Sequence, residues 1–185
     1  MLIINREFVQ KWSKVYNERF KNGTSIRIEN EIREWLCKQS GDKYLNKEYF
    51  VKLGRWKSAR VTKHYERNDE ETIVGTTIAA FREPDELSKI NILLDLYGVG
   101  VRVASTILNY LHPETFPIFD YHCVKVLAEA GLWKRKTDDF SKQAWLDYVH
   151  IMRGLAERLG VHIRDLDKAM FAYEKRDIYL KGICS

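Results

Sequence analysis

Cysteine and proline are scarce, with three of each in 185 residues. Cys37, Cys123 and Cys184 stand far apart and are odd in number, which argues against a disulfide frame and for reduced thiols in a cytoplasm. Three thiols also exclude a four-cysteine iron–sulfur cluster held within this chain. His64, His112, His122, His150 and His162 show no metal-ligand spacing with the cysteines, so no metal centre is expected. No run approaches the roughly 20 apolar residues that cross a bilayer. The opening Met1–Glu7 turns charged too early for a secretory signal, so a cytoplasmic chain without membrane contact is expected. A phosphate-binding P-loop, a Ser nucleophile elbow, internal repeats and low-complexity runs are all missing.

What is present is helical periodicity. Apolar residues make up 45% of the chain, enough for a real core. Phe8, Val9, Trp12, Val15, Tyr16 and Phe20 share one face of a first helix, which Asn22-Gly23 ends. Ile28, Ile32, Trp35 and Leu36 mark a second, and Tyr49, Phe50, Leu53 and Trp56 a third with a weak point at Gly54. Asn68 to Glu71 has the spacing of a capping box, and Pro84 occupies a first-turn position ahead of Leu87. Later apolar faces run through Val101–Leu111, Cys123–Ala130, Trp145–Leu159 and a last helix near Asp165–Tyr179. No strand pattern competes and no linker separates independent domains. The fold class expected is all-α, in a single compact unit over 1–185.

Charge is uneven. The chain carries +5, yet between Lys43 and Arg67 eight basic residues meet only Glu48 and Glu66, a local surplus of six. Tyr44, Tyr49, Phe50, Trp56 and Tyr65 interleave with them, as on a surface that faces a polyanion. A solvated helix face with core aromatics behind it reads the same way.

The densest signal follows. Leu96-Tyr97-Gly98-Val99-Gly100-Val101-Arg102-Val103-Ala104-Ser105 joins two helices through a Gly-Val-Gly bend, and Phe116-Pro117-Ile118-Phe119-Asp120 comes soon after. The N–H groups of such a bend, with the N-terminal end of the second helix, form a seat for phosphate. Gly98 and Gly100 permit positive φ and a close backbone approach, Val99 plugs the turn into the core, and Arg102 adds charge. An ordinary helix corner uses the same glycines for geometry alone. Asp120 stands where an N-cap stands, and a carboxylate that accepts N–H bonds stays ionised near neutral pH. There it can stabilise the positive charge that builds on a sugar as an N-glycosidic bond breaks, orient water, or take its proton. Cys123 falls on the apolar face of its helix and reads as core, and His122 as a half-buried neighbour that can line a cleft.

The bend, its second helix and Phe-Pro-Ile-Phe-Asp-Tyr-His together resemble the helix-hairpin-helix (HhH-GPD) superfamily of DNA glycosylases, over about residues 93–130. Endonuclease III, the adenine glycosylases and the 8-oxoguanine glycosylases belong to it, and the FPI-D run is most similar to the adenine-glycosylase branch. The resemblance implies an all-α, two-lobed fold with the substrate cleft between lobes. Residues 22–113, with the hairpin at 93–111, would form a barrel lobe, and residues 1–21 plus 114–185 the other. It places the shared aspartate on Asp120 and the backbone-binding hairpin on Gly98, Val99, Gly100 and Arg102. Bifunctional members carry a Lys where this chain has Arg102, and a guanidinium is no nucleophile. The implied reaction is therefore monofunctional hydrolysis of a damaged or mismatched base, without a Schiff-base lyase step. No Ser-Ala-Gln-like wedge helix is found. Leu53-Gly54-Arg55-Trp56-Lys57-Ser58 resembles the segment before the hairpin in relatives, which makes Arg55, Trp56, Lys57, Tyr65 and His122 candidates for base or DNA contacts. Trp56 packing beside Leu53 is the plainer reading. The implied partner is double-stranded DNA, bound by a nucleoid-associated monomer. No cofactor is implied beyond a monovalent cation at the hairpin carbonyls. The alternatives are a catalytically silent module that binds DNA or RNA structure on the same scaffold, and a helical protein-interaction domain.

Overall fold

The computed structural model describes residues 1–21 and 23–181, and these are all-α, with no strand among them. Asn22 and Cys184 lie outside the described residues. The helices are α1 Arg6–Phe20, α2 Thr24–Cys37, α3 Lys47–Lys57, α4 Thr62–Tyr65, α5 Glu70–Arg82, α6 Glu86–Leu94, α7 Val101–Leu111, α8 Tyr121–Glu129, α9 Lys142–Leu159, α10 Ile163–Glu174 and α11 Arg176–Lys181. A 3-10 turn at Ala59–Val61 leads into α4. Short polar side chains start many of them, because the first-turn N–H groups have no helical acceptor. Asn5 accepts from the Phe8 N–H, Asn46 from Tyr49, Asp85 from Ser88, Asp120 from His122 and Ser141 from Ala144.

Three boundaries differ from the sequence reading. The cap of α5 is Asp69, which accepts from the Thr72 N–H, and Asn68 is drawn into the interior instead. Pro84 lies ahead of the Asp85 cap, outside α6. The last helical stretch starts at Ile163, capped by His162, and breaks at Lys175 before α11.

The chain divides into two compact units, one made of the chain up to Gly23 and from Glu114 on, the other of Thr24–Pro113. In the Thr24–Pro113 unit the core is Ile32, Leu36, Leu45, Phe50, Leu53, Ile73, Ile90, Leu93, Ala104, Ile107 and Leu108, all buried. Each large apolar side chain among them contributes about 1.5–3 kcal/mol. Polar clamps tie its helices together. Arg33 donates to Glu29 Oε1 and to Asn109 Oδ1 (3.0 Å), and its guanidinium lies over the Tyr110 ring. Lys89 Nζ donates to the carbonyls of Ala80 and Phe81 at 3.0 Å, where the last turn of α5 leaves them open.

In the other unit α10 is the hub, and α1, α8 and α9 pack on it. Phe8 and Trp12 meet the Tyr173 ring, and Tyr16 meets Phe171. Phe119 is fully buried among Trp133, Phe140 and Tyr148.

Candidate functional site

The bend between α6 and α7 is held from α4 and the residues after it. Asn68, 3% exposed, donates from Nδ2 to the carbonyls of Tyr65 (2.9 Å) and Tyr97 (3.1 Å). Its Oδ1 accepts the Tyr97 N–H at 2.8 Å, so both main-chain groups of Tyr97 are pinned by one amide. Gly98 has φ +84°, and a Cβ there would stand 2.9 Å from His64 Cβ and from the Tyr65 ring. Only glycine meets both demands. Gly100 differs from expectation: its φ is −98°, and nothing lies within 4 Å of where its Cβ would be. It supplies open space at the N-terminus of α7 rather than a special conformation. Val99 is buried and its N–H donates to Leu96 O at 3.1 Å, so Val99 is a plug and not a phosphate donor. The N–H groups of Gly98, Gly100 and Val101 find no acceptor among the described residues. The carbonyls of Leu96, Tyr97 and Gly100 already accept protein N–H groups. Arg102, half-buried, lies in the first turn of α7, and exposed His64 and Arg67 border the bend from the α4 side, at Gly98 and Tyr97. Arg67 stacks on the Tyr97 ring, which is 56% exposed.

The basic stretch is less free than its charge count suggests. Lys52 pairs with Glu31 (2.5 Å) and Glu48 (2.7 Å), Arg55 with Glu66 (2.6 Å), and Lys43 caps the carbonyls of Leu36 and Gln39. Arg55 thus remains exposed but spends its charge on Glu66. Lys57 is half-buried at the end of α3. Trp56 is half-buried, edge-on to Tyr110 at 6.4 Å. Tyr65, expected as a base-stacking candidate, has no face open to a base. It is fully buried, edge-on to Phe50, and pressed between Gly54 and Gly98. Gly54, read as a weak point in α3, is where that ring packs: a Cβ there would lie 2.6 Å from it.

Asp120 and His122 belong to the other unit. Asp120 caps α8, its Oδ1 accepting the His122 N–H at 3.0 Å, and its side chain is half-buried. His122 faces Glu174, with Nδ1 2.7 Å from Oε2, and Lys125 reaches the other Glu174 oxygen at 2.6 Å. Its predicted part in base contact therefore competes with the Glu174 carboxylate. Cys123 is buried, as its place on the apolar face implied. No group of three or more His, Cys, Asp or Glu among the described residues is placed to hold a metal. No helix among them is long and apolar enough to cross a membrane.

Against known proteins, no family model and no solved structure matches the chain. Among curated proteins it is similar to the 8-oxoguanine DNA glycosylase/AP lyase of Korarchaeum cryptofilum (strain OPF8), 24% identical over 102 residues. The match covers 55% of this chain and 48% of that relative, so it spans about half the relative's length. The likeness supports the glycosylase superfamily and nothing finer.

Two buried polar side chains escaped sequence reasoning. Asn68 reads as a cap because Glu71 stands three residues after it, and nothing local reveals that it holds the bend. Asp167 left a readable trace. It sits four residues after Ile163 and three before Met170, on the apolar face of α10, where an acid has no reason to be unless it is bonded.

Proposed function

We propose that the chain is a DNA glycosylase-like protein that grips a phosphate backbone with the α6–α7 bend and hydrolyses an N-glycosidic bond with the help of Asp120. The observation that carries this reading is the set of unengaged N–H groups at Gly98, Gly100 and Val101, in a bend made rigid by Asn68. Rigid donors beside a helix N-terminus favour an anion, and Arg102 and Arg67 lend it charge. Asp120 meets the needs of the second step: a half-exposed carboxylate fixed by its own helix. As the bond to the base breaks, positive charge grows on the sugar and the carboxylate opposes it. The C–N bond pair leaves with the base, water adds to the sugar carbon and gives its proton to Asp120, and that proton passes on to the departed base, which restores the carboxylate.

The named activity of the similar archaeal protein includes an AP lyase, and here the proposal departs from it. Arg102 cannot attack the sugar. The buried Lys89 of the same unit is committed to two carbonyls. Base release therefore ends at an abasic site. The test is a panel of duplexes carrying 8-oxoguanine opposite cytosine, adenine opposite 8-oxoguanine, uracil or an alkylated purine. One member should yield strands that break only after alkali, with no borohydride-trapped protein–DNA adduct. A trapped adduct contradicts the monofunctional assignment. Tight binding with no abasic product on any member favours the second reading, a silent DNA- or RNA-structure-binding module, for which Arg102 is the supporting observation.

A further inference from the structure

Asp167 is 2% exposed in the core of the unit that carries Asp120. A carboxylate so placed costs several kcal/mol unless its oxygens find donors. Each Asp167 oxygen has one. Oδ2 accepts the Ile118 N–H at 2.9 Å, and Oδ1 lies 3.1 Å from the Tyr148 hydroxyl. That hydroxyl is also 3.1 Å from the Ile118 carbonyl, so the ring closes on both main-chain groups of one residue, two before Asp120. Burial, then Asp167 and Cys123, push the Tyr148 phenol well above its ordinary pKa, so it remains a proton donor throughout the usual range. On the far side of Asp120, Cys123 Sγ donates to the Asp167 carbonyl at 3.6 Å. One residue of α10 thus holds the chain at two positions before and three after the candidate acid. Phe119, between them, is anchored with no exposed surface.

We infer that Asp167 is a positioning residue that, with Tyr148, fixes the backbone through Ile118 and so aims the Asp120 carboxylate for base release. The inference rests on the glycosylase reading given above. An apolar pair would fill the same space at less electrostatic cost, but would leave the Ile118 N–H and carbonyl unbonded. A misplacement on the order of 1 Å at a reacting group lowers a rate about a hundredfold.

The experiment is single-turnover base release by the full chain, with enzyme in excess, on whichever panel duplex the wild type cleaves. It is run well below each variant's unfolding midpoint and paired with the Kd for that duplex. Asp167→Ala should slow release about ten- to a hundredfold with Kd changed less than about twofold. Asp167→Asn, whose amide oxygen still accepts the Ile118 N–H while Tyr148 turns to the Ile118 carbonyl, should recover most of the rate. Tyr148→Phe, which removes one arm of the ring, should fall between. It carries the test if Asp167→Ala does not fold. Folded Tyr148→Phe and Asp167→Ala proteins that release base at the wild-type rate overturn the inference alone. A wild type that binds duplex and releases no base from any panel member overturns the glycosylase reading, and this inference with it.

Discussion

Asn68 fastens four main-chain groups with one side chain: the Tyr97 N–H and the carbonyls of His64, Tyr65 and Tyr97. Replacing it with Ala strands a buried donor and several acceptors, which lowers stability by about 1–3 kcal/mol. Urea denaturation of Asn68→Ala checks the stability, and its affinity for duplex DNA should drop because the bend's amides lose their fixed direction. Glu174 gives a second prediction at this scale. Burial alone would raise its pKa, but the Lys125 hydrogen bond and the charges of His122, Lys125 and Lys175 outweigh it and hold the carboxyl below 4.5. A folded-state pKa below the unfolded one means stability that is fully present above the unfolded value and lost as pH falls through the lower folded value. Denaturation midpoints measured from neutral pH down through 4.5 should decline in the wild type. In Glu174→Gln the acid limb should be shallower, from a lower neutral plateau. Single residues were the least readable level of the sequence. Asp120 was visible because capping is local. Asn68 and Tyr65 are not legible in this way because their partners lie 29 and 33 residues away, at Tyr97 and Gly98.

At the scale of elements, periodicity and caps carried most of the information, and the failures have one physical source. Apolar spacing located the long helices because one face of each must be buried. It said nothing of α4, a single turn whose importance lies in Tyr65. That ring fills the space between α3 and the bend, and both neighbours are glycines for its sake. Gly54→Ala therefore does not gain the helix propensity that Ala ordinarily brings. The expected result is a net loss of about 1–2 kcal/mol, with the overpacking outweighing the propensity. Gly98→Ala should be worse, about 2–4 kcal/mol, since a left-handed backbone is added to the clash. Gly100→Ala meets no atom and should fold normally. A duplex-binding defect in Gly100→Ala without loss of thermal stability would mark that open space as a ligand-facing surface.

For the whole molecule, the net +5 overstates what a polyanion meets, because Lys52 and Arg55 are already paired with acids. Duplex binding should still weaken linearly in log Kd against log salt. Arg102→Ala should lower the magnitude of the slope by about 1 if it neutralises one phosphate. The all-α class was readable from composition and period alone. The identity of the base was not, since no local pattern encodes it. Asp120 is proposed to support the chemistry and the bend the binding. The deciding experiment is single-turnover base release by Asp120→Asn, beside its Kd for the same duplex. The rate should be at least about a hundredfold lower, with affinity within twofold of wild type. Release by Asp120→Asn at the wild-type rate rules this division of labour out.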